Sequence, residues 1–167
     1  IEVVDDDDNK TMYTLAQIVN LSCAELDVRG YAHEGYFAAV TDLKSYYNAN
    51  LALLDFETTE ELFNEDWPIY TRTNDSAPTQ HFADASVKHS VISNGCFIKG
   101  TIENSIIGRG CTIEEGVVIK NSVVLPDTYI AKDIVLDCQV VDKHSKLLHC
   151  KELIATVEEP GYVKRGD

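Results

Sequence analysis

His89-Ser90-Val91-Ile92-Ser93-Asn94-Gly95-Cys96-Phe97-Ile98 is followed by Asn104-Ser105-Ile106-Ile107-Gly108-Arg109-Gly110-Cys111-Thr112-Ile113 and by Asn121-Ser122-Val123-Val124-Leu125-Pro126-Asp127-Thr128-Tyr129-Ile130. The three stretches superpose position by position: a polar residue, a small one, two β-branched residues, a turn, then an apolar residue. A weaker fourth copy runs from Cys138 to Leu147, so the copies begin at His89, Asn104, Asn121 and Cys138 at a nearly constant step. Self-similarity at a short fixed period marks one structural unit stacked on itself. A shorter, six-position step separates Ile92 from Ile98, Ile107 from Ile113, Ile113 from Ile119, and Val124 from Ile130. Such hexads, with Ile or Val at one position and Gly, Asn or Asp at the corners, predict a left-handed parallel β-helix. Each hexad makes one short strand and three make a triangular coil. One coil cannot bury its own apolar interior, so successive coils cover one another and pair their backbones. Gly95, Gly110 and Gly116 are read as corner residues that need an unusual φ. A small sandwich with regular strand spacing is the competing architecture, and the repeated decamer disfavours it.

Composition narrows the function. Lys and Arg total 14 against 28 Asp and Glu, a formal charge of −14, which argues against nucleic-acid or anionic-membrane partners. Asp5 to Asp8 read as a solvated acidic run rather than a metal site, because four adjacent carboxylates cannot converge on one ion. No apolar run approaches the roughly 20 residues of a membrane span, and no signal peptide is recognisable. The five cysteines (Cys23, Cys96, Cys111, Cys138 and Cys150) are odd in number and show no CxxC spacing. Cys96 and Cys111 occupy equivalent repeat positions and read as small core fillers in a reducing cytoplasm. The only Met is Met12, so the chain is read as a piece of a longer protein.

The segment before the repeats has a different texture. Thr14-Leu15-Ala16-Gln17 reads as a capping box opening a helix. Asp27 to Val40 reads as extended chain. Leu43, Tyr46, Tyr47, Leu51 and Leu54 fall at helical spacing behind Thr41 or Asp42 as N-cap. Thr58-Thr59-Glu60-Glu61 reads as the cap of a third helix. Trp67-Pro68-Ile69-Tyr70 opens an extended stretch, and Asn74 to Pro78 has turn chemistry. The expected organisation is therefore 1–80 as a small α/β segment with linker, 81–155 as the β-helix and 156–167 as a polar tail. Three helices with unmatched apolar faces predict that the first part packs against something outside it or docks on the side of the β-helix.

The stretch Gly35-Tyr36-Phe37-Ala38-Ala39-Val40-Thr41-Asp42-Leu43, continuing through Tyr46, Tyr47 and Asn50-Leu51, resembles a signature of bacterial glucose-1-phosphate adenylyltransferase (ADP-glucose pyrophosphorylase). The resemblance continues through Pro68-Ile69-Tyr70 and Ala77-Pro78 into the hexads. It implies that the segment 1–80 is the end of a nucleotidyltransferase domain. It also implies a parent that converts ATP and glucose 1-phosphate to ADP-glucose and pyrophosphate with Mg. The departures carry as much weight. Where the family pattern has a metal-binding Asp this chain has Ala39, and a methyl group supplies no oxygen to a hard cation. Phe37 stands for the family's Trp. Thr41 replaces a Gly and Asp42 a Thr; Asp42 reads as a helix cap rather than a displaced ligand. No Gly-rich phosphate loop precedes a helix, since Gly108-Arg109-Gly110 lies inside a hexad. The pattern thus resembles the non-catalytic regulatory subunit of glycogen biosynthesis. That subunit would pair with a catalytic paralogue in an oligomer and respond to a sugar-phosphate effector.

Other candidate chemistry can be read from single residues. His89, His144 and His149 invite a hexapeptide acyltransferase with a His general base. His89, however, holds the slot of Asn104 and Asn121 and reads as a corner residue. The three do not recur at coil spacing, so a zinc site is disfavoured. Lys88, Lys99, Arg109, Lys120 and Lys132 line the repeats as ordinary surface cations that could meet a phosphate. Thr41, Asp42 and Asp55 show no catalytic partner. The expectation is no catalytic, cofactor or metal residue in this chain. An acyltransferase and a competent pyrophosphorylase remnant remain the alternatives.

Overall fold

The structure is a computed structural model describing residues 14–66, 68–71 and 73–166. The acidic run Asp5 to Asp8, Met12 and Trp67 lie outside the described residues. Contacts divide the chain after Gly35 into two compact units. The first holds α1, Leu15–Ser22, opened by the expected capping box: the Thr14 side chain accepts from the Gln17 N–H while Gln17 reaches back to the Thr14 N–H.

The second unit begins with α2, Leu43–Leu51, continues through a 3₁₀ turn at Ala52–Leu54, and then forms α3, Phe56–Leu62. Asp42 is the N-cap of α2. The cap of α3 is Asp55, whose carboxylate accepts from the Thr58 N–H; Thr58 to Glu61, read from the sequence as a cap, are inside the helix. A single acceptor directly before Phe56 outcompetes the later threonines because only it faces the free N–H groups of the first turn. No strand forms among the described residues before Gln80, so the expected α/β segment is helical with irregular connections. Asp27 to Val40, read as extended, joins none of the sheets.

Among the described residues, fifteen short strands then wind into three parallel five-stranded sheets, one per face of a prism. The first face takes β1 Gln80–His81, β4 Phe97–Ile98, β7 Thr112–Ile113, β10 Tyr129–Ile130 and β13 Lys146–Leu147. The second takes β2 Ser86–Lys88, β5 Thr101–Glu103, β8 Val118–Lys120, β11 Val135–Asp137 and β14 Glu152–Ile154. The third takes β3 Val91–Ile92, β6 Ile106–Ile107, β9 Val123–Val124, β12 Gln139–Val141 and β15 Gly161–Val163. This is the hexapeptide-repeat β-helix expected from the decamers.

The register restates the repeat. Ser86 pairs with Thr101 and Val91 with Ile106, across the shortest coil. Thr101 pairs with Val118 and Val118 with Val135, each one slightly longer coil further on. The last coil is longer still, since Gln139 pairs with Gly161. Residues 161–163, expected in a polar tail, are therefore a ladder strand. The excess length, spent in the turn before buried Pro160, takes them out of period.

Columns of like residues run along the prism. Ile98, Ile113 and Ile130 point inward on the first face, Ile102, Ile119 and Leu136 on the second, and Ile107, Val124 and Val141 on the third, each 0% exposed. At the corner between the second and third faces, His89, Asn104, Asn121 and Cys138 all have positive φ, between 41° and 54°. Asn is one of the few L residues that tolerates this region, which explains its recurrence. The side chains continue the column: His89 Nδ1 lies 2.9 Å from Asn104 Oδ1, Asn104 Nδ2 donates to Asn121 Oδ1 at 2.7 Å, and Asn121 Nδ2 to Asp137 Oδ1 at 2.9 Å. A serine column lies beside it. Ser122 Oγ donates to the Lys120 carbonyl and accepts from the Gln139 N–H at 3.0 Å, while Ser105 Oγ accepts from the Ser122 N–H at 3.0 Å. These side chains stitch together backbone groups that the corner leaves outside the ladders.

Candidate functional site

The stretch that carries the signature runs into α2. Gly35 adopts φ +112°, and the Tyr36 N–H donates to Glu61 Oε2 at 2.7 Å. Phe37 is 77% exposed and Ala39 is exposed. The Thr41 and Asp42 N–H groups both donate to Ser45 Oγ at 2.9 Å, and Asp42 Oδ1 accepts from the Ser45 N–H at 2.7 Å. That amide donor, followed by the Ser45 hydroxyl, holds the Asp42 carboxyl below its ordinary range. Asp42 is thus occupied as a cap, as the sequence suggested, and Thr41 is not the N-cap.

From this cap α2 lies on the third face of the prism. Tyr47 is 0% exposed and packs with Val123 and Val140, the outward residues of β9 and β12, with Leu43, Tyr46, Leu51 and Leu125 around them. The Tyr47 hydroxyl donates to the Asn121 carbonyl at 2.6 Å. Burial, then contact with the Cys138 thiol, pushes the phenol's pKa up. Lys44 Nζ meets Glu158 Oε2 at 2.7 Å, on the long turn of the last coil. The α2 segment therefore docks on the side of the β-helix, one of the two arrangements expected for it.

The candidate cations and histidines are scattered by the coil geometry. His89 is a corner residue in the asparagine column, as its slot implied. His144 sits at a different corner, φ +60°, with Nδ1 3.5 Å from Asp127 Oδ2. His149 lines the end of the solenoid. The structure brings Lys99 and Lys132 together only through acids: Lys99 pairs with Glu114 at 2.9 Å and Lys132 with Glu115 at 2.7 Å. Lys99 also stands 5.4 Å from the centroid of the Phe82 ring. Lys88 and Lys120 point outward from the second face, and Arg109 is at the corner beside Gly110. Cys96 and Cys111 are 1% and 0% exposed and donate to the carbonyls of Gly108 and Leu125. They fill the core as read from their positions; all five cysteines are free thiols.

Two concavities on the coils bear on the candidate residues. One of about 480 Å³ opens at the last coil between Leu147, Leu153, Tyr162 and Val163, with His149 and Cys150 on its rim. The other, about 290 Å³, is a notch between Asp84, Lys99, Glu115 and Gly116 over Gly100. It exists because the inward residues Ile98 and Ile102 are four positions apart where Ile113 and Ile119 are six apart, so a short corner sits beneath a full one. The first holds an imidazole and a thiol, His149 and Cys150, but among the described residues no hydrogen bond joins them; the second is lined by neither a histidine nor a cysteine. Among the described residues no group of three His, Cys, Asp or Glu is placed to hold a metal, and no helix is long and apolar enough to cross a membrane.

Sequence reasoning misses the contact of Tyr47 with Asn121 and the reach of Lys44 to Glu158. Tyr47 is legible as a helix residue with an apolar face. Its partners Asn121, Val123 and Val140 are far along the chain in the coils, and only the fold brings them near.

Residues 77–153 match the family described as GlmU-like, C-terminal hexapeptide. Over 112 residues the chain is 39% identical to the glucose-1-phosphate adenylyltransferase of Bacillus thuringiensis (strain Al Hakam), covering 66% of this chain and 30% of that protein. The Bacillus anthracis enzyme of the same name is similar to the same extent, and that of Bacillus mycoides (strain KBAB4) is 38% identical over the same length. The aligned part of the chain spans 30% of the length of these relatives.

Proposed function

With a hexapeptide domain that matches those of glucose-1-phosphate adenylyltransferases as the premise, we propose that this chain is the regulatory and assembly end of such a protein. Its parent acts in making the glucosyl donor for glycogen, and a catalytic paralogue transfers the adenylyl group from ATP to glucose 1-phosphate. The setting is the cytoplasm, and the working form is an oligomer. The observation that carries the reading is the junction at residues 35–47. The signature segment ends in a cap that opens α2, and Tyr47 ties α2 to the β-helix by packing and one hydrogen bond. That is the mechanical requirement for passing an effector signal into the solenoid.

The same junction weighs against catalysis by this chain. The divalent metal that the family uses finds no fit here: Ala39 offers a methyl group, and Asp42 is engaged by the Ser45 amide and hydroxyl. A rigid solenoid with flat faces is well suited to pairing subunits. The test is co-expression of the parent protein with a catalytic paralogue. The reading expects a co-purifying complex with an altered effector response; an unchanged rate and response would overturn it. An acyltransferase would need a His beside an acyl acceptor cleft, and His89, His144 and His149 are spread over separate corners and ends of the prism.

A further inference from the structure

We infer that the part of the prism's second face formed by β2, β5, β8 and β11 pairs with the same part of a second copy of this chain, with the two solenoids antiparallel; β14, the fifth strand of that face, carrying Glu152 and Ile154 outward, lies beyond the overlap. One column of side chains carries the pairing. Lys88 pairs in register with Glu103, Glu103 with Lys120, and Lys120 with Asp137. The middle residues of these strands, Ile102, Ile119 and Leu136, are fully buried, so the flanking positions face outward. Read along the prism, the column is therefore plus, minus, plus, minus. The salt bridges of the coils lie on another edge, at Lys99–Glu114 and Lys132–Glu115; among the described residues none of the four column residues takes part in one. Asp137 Oδ1 does accept from Asn121 Nδ2.

An alternating column of four is complementary to its own reverse. Consider a two-fold axis in the plane of contact, along the strand direction and midway between β5 and β8. It reverses the order of the coils and keeps each column facing itself. Lys88 then meets Asp137 and Glu103 meets Lys120, each pair twice, as an isologous interface requires. The other two-fold, along the solenoid through the column, sets every charge against its own copy and is excluded by repulsion. Within the overlap the neighbouring outward column is Ser86, Thr101, Val118 and Val135. Under the same axis Thr101 meets Val118 and Ser86 meets Val135, small and β-branched residues that let two flat faces approach. The four overlapping positions carry two positive and two negative charges in a chain of net charge −14, and Glu152 on β14 falls outside the overlap, so the contact escapes the overall self-repulsion. α2 leaves the face open, because it occupies the third face at Val123 and Val140. The interface names a surface and a partner within the assembly reading, and it stands on the charge pattern alone.

Four overlapping strands spaced about 4.8 Å apart make a small footprint, at the weak end for protein pairs. The experiment is sedimentation velocity of the full chain, from micromolar to millimolar protein, at low and high salt. The wild type is expected to show a salt-sensitive monomer–dimer equilibrium. Lys120→Glu sets acid against Glu103 twice and should weaken association by about tenfold or more. The swap Glu103→Lys with Lys120→Glu restores both intermolecular pairs and should return association to within about threefold of wild type. Within one chain the swap instead creates like charges at 88/103 and at 120/137, so a purely intramolecular column predicts no rescue. Thermal unfolding of each variant checks that the coils are folded. A monomer at every concentration, a dimer indifferent to Lys120→Glu, or a swap without rescue overturns the proposal. Any of those results leaves co-assembly with a catalytic subunit to be judged by its own experiment.

Discussion

The Tyr47 phenol, carried by α2, donates to the main-chain carbonyl of Asn121 at 2.6 Å, and Asn121 is itself a positive-φ corner of the β-helix. One hydrogen bond therefore joins the helical segment to a corner that is already conformationally restricted. Tyr47→Phe leaves the Asn121 carbonyl without that donor and should cost about 1–3 kcal/mol. Tyr47→Ala also removes a fully buried ring and should cost about 3–5 kcal/mol. Urea unfolding gives the two values, and amide exchange locates the loss. Exchange in α2 should accelerate before exchange in β9 and β12; uniform acceleration through the coils would contradict the role assigned to Tyr47.

Ser122 is 0% exposed, and its hydroxyl serves the Lys120 carbonyl and the Gln139 N–H at once. Ser122→Ala removes both links inside the prism, at a cost of about 1–3 kcal/mol. Ser90, in the same column but at the first coil, is half-buried, and Ser90→Ala should cost less. Denaturant midpoints of the pair decide the point: equal midpoints would mean that the column adds nothing beyond its local turns.

Gly100 occupies the short corner over which the notch opens. A Cβ there would lie 2.5 Å from the Val117 carbonyl oxygen, a backbone atom that cannot swing aside. Gly100→Ala should destabilise by about 1–3 kcal/mol through overpacking. Gly30, where a Cβ would meet nothing within 4 Å, is the control, and Gly30→Ala should leave the melting temperature essentially unchanged. Matching losses at the two sites would argue against a steric cause.

The two helix caps titrate. Asp42 and Asp55 both sit below their ordinary range because the Ser45 and Thr58 amides donate to them. A carboxyl whose pKa is lower in the folded state stabilises fully above its unfolded value, about 3.9 for Asp, and that contribution is lost as pH falls through the folded value. Circular dichroism at falling pH should therefore show α2 and α3 weakening below about pH 4 while the β signal persists. Asp42→Asn keeps a capping oxygen and removes the titration, so its helical signal should be flatter through that range. An identical acid profile in the Asn variant would assign the transition elsewhere.

The coils are legible in the sequence because their physics is local and repeated. Three Ile or Val residues per coil, a glycine or asparagine where φ turns positive, and a thiol at the same slot in two copies give the stacking direction, the corners and the core. Gly95, Gly110 and Gly116 are positive-φ corners as read. Less is legible wherever a single event departs from the period. The extra residues before Pro160 hide β15, and the shortened corner at Gly100 hides the notch. In the helical segment, capping is readable only to the neighbourhood, since Asp42 and Asp55 compete with nearby threonines for the same role. The docking of α2 is readable only as a need for some partner, because amphipathicity tells which face is apolar and not what covers it.

The lengths of the coils also set how far the chain must search. Apart from the step to β15, the ladders join near neighbours in sequence, as Gln80 with Phe97, Thr112 with Tyr129 and Val135 with Glu152. Closure entropy grows only with the logarithm of loop length, so each coil costs nearly the same to shut. Set against the whole chain, that separation gives a relative contact order of about 0.1, the province of helical bundles rather than of β-sandwiches. The coil region, built of parallel strands, thus assembles by growth along one dimension, each finished turn serving as the template for the next.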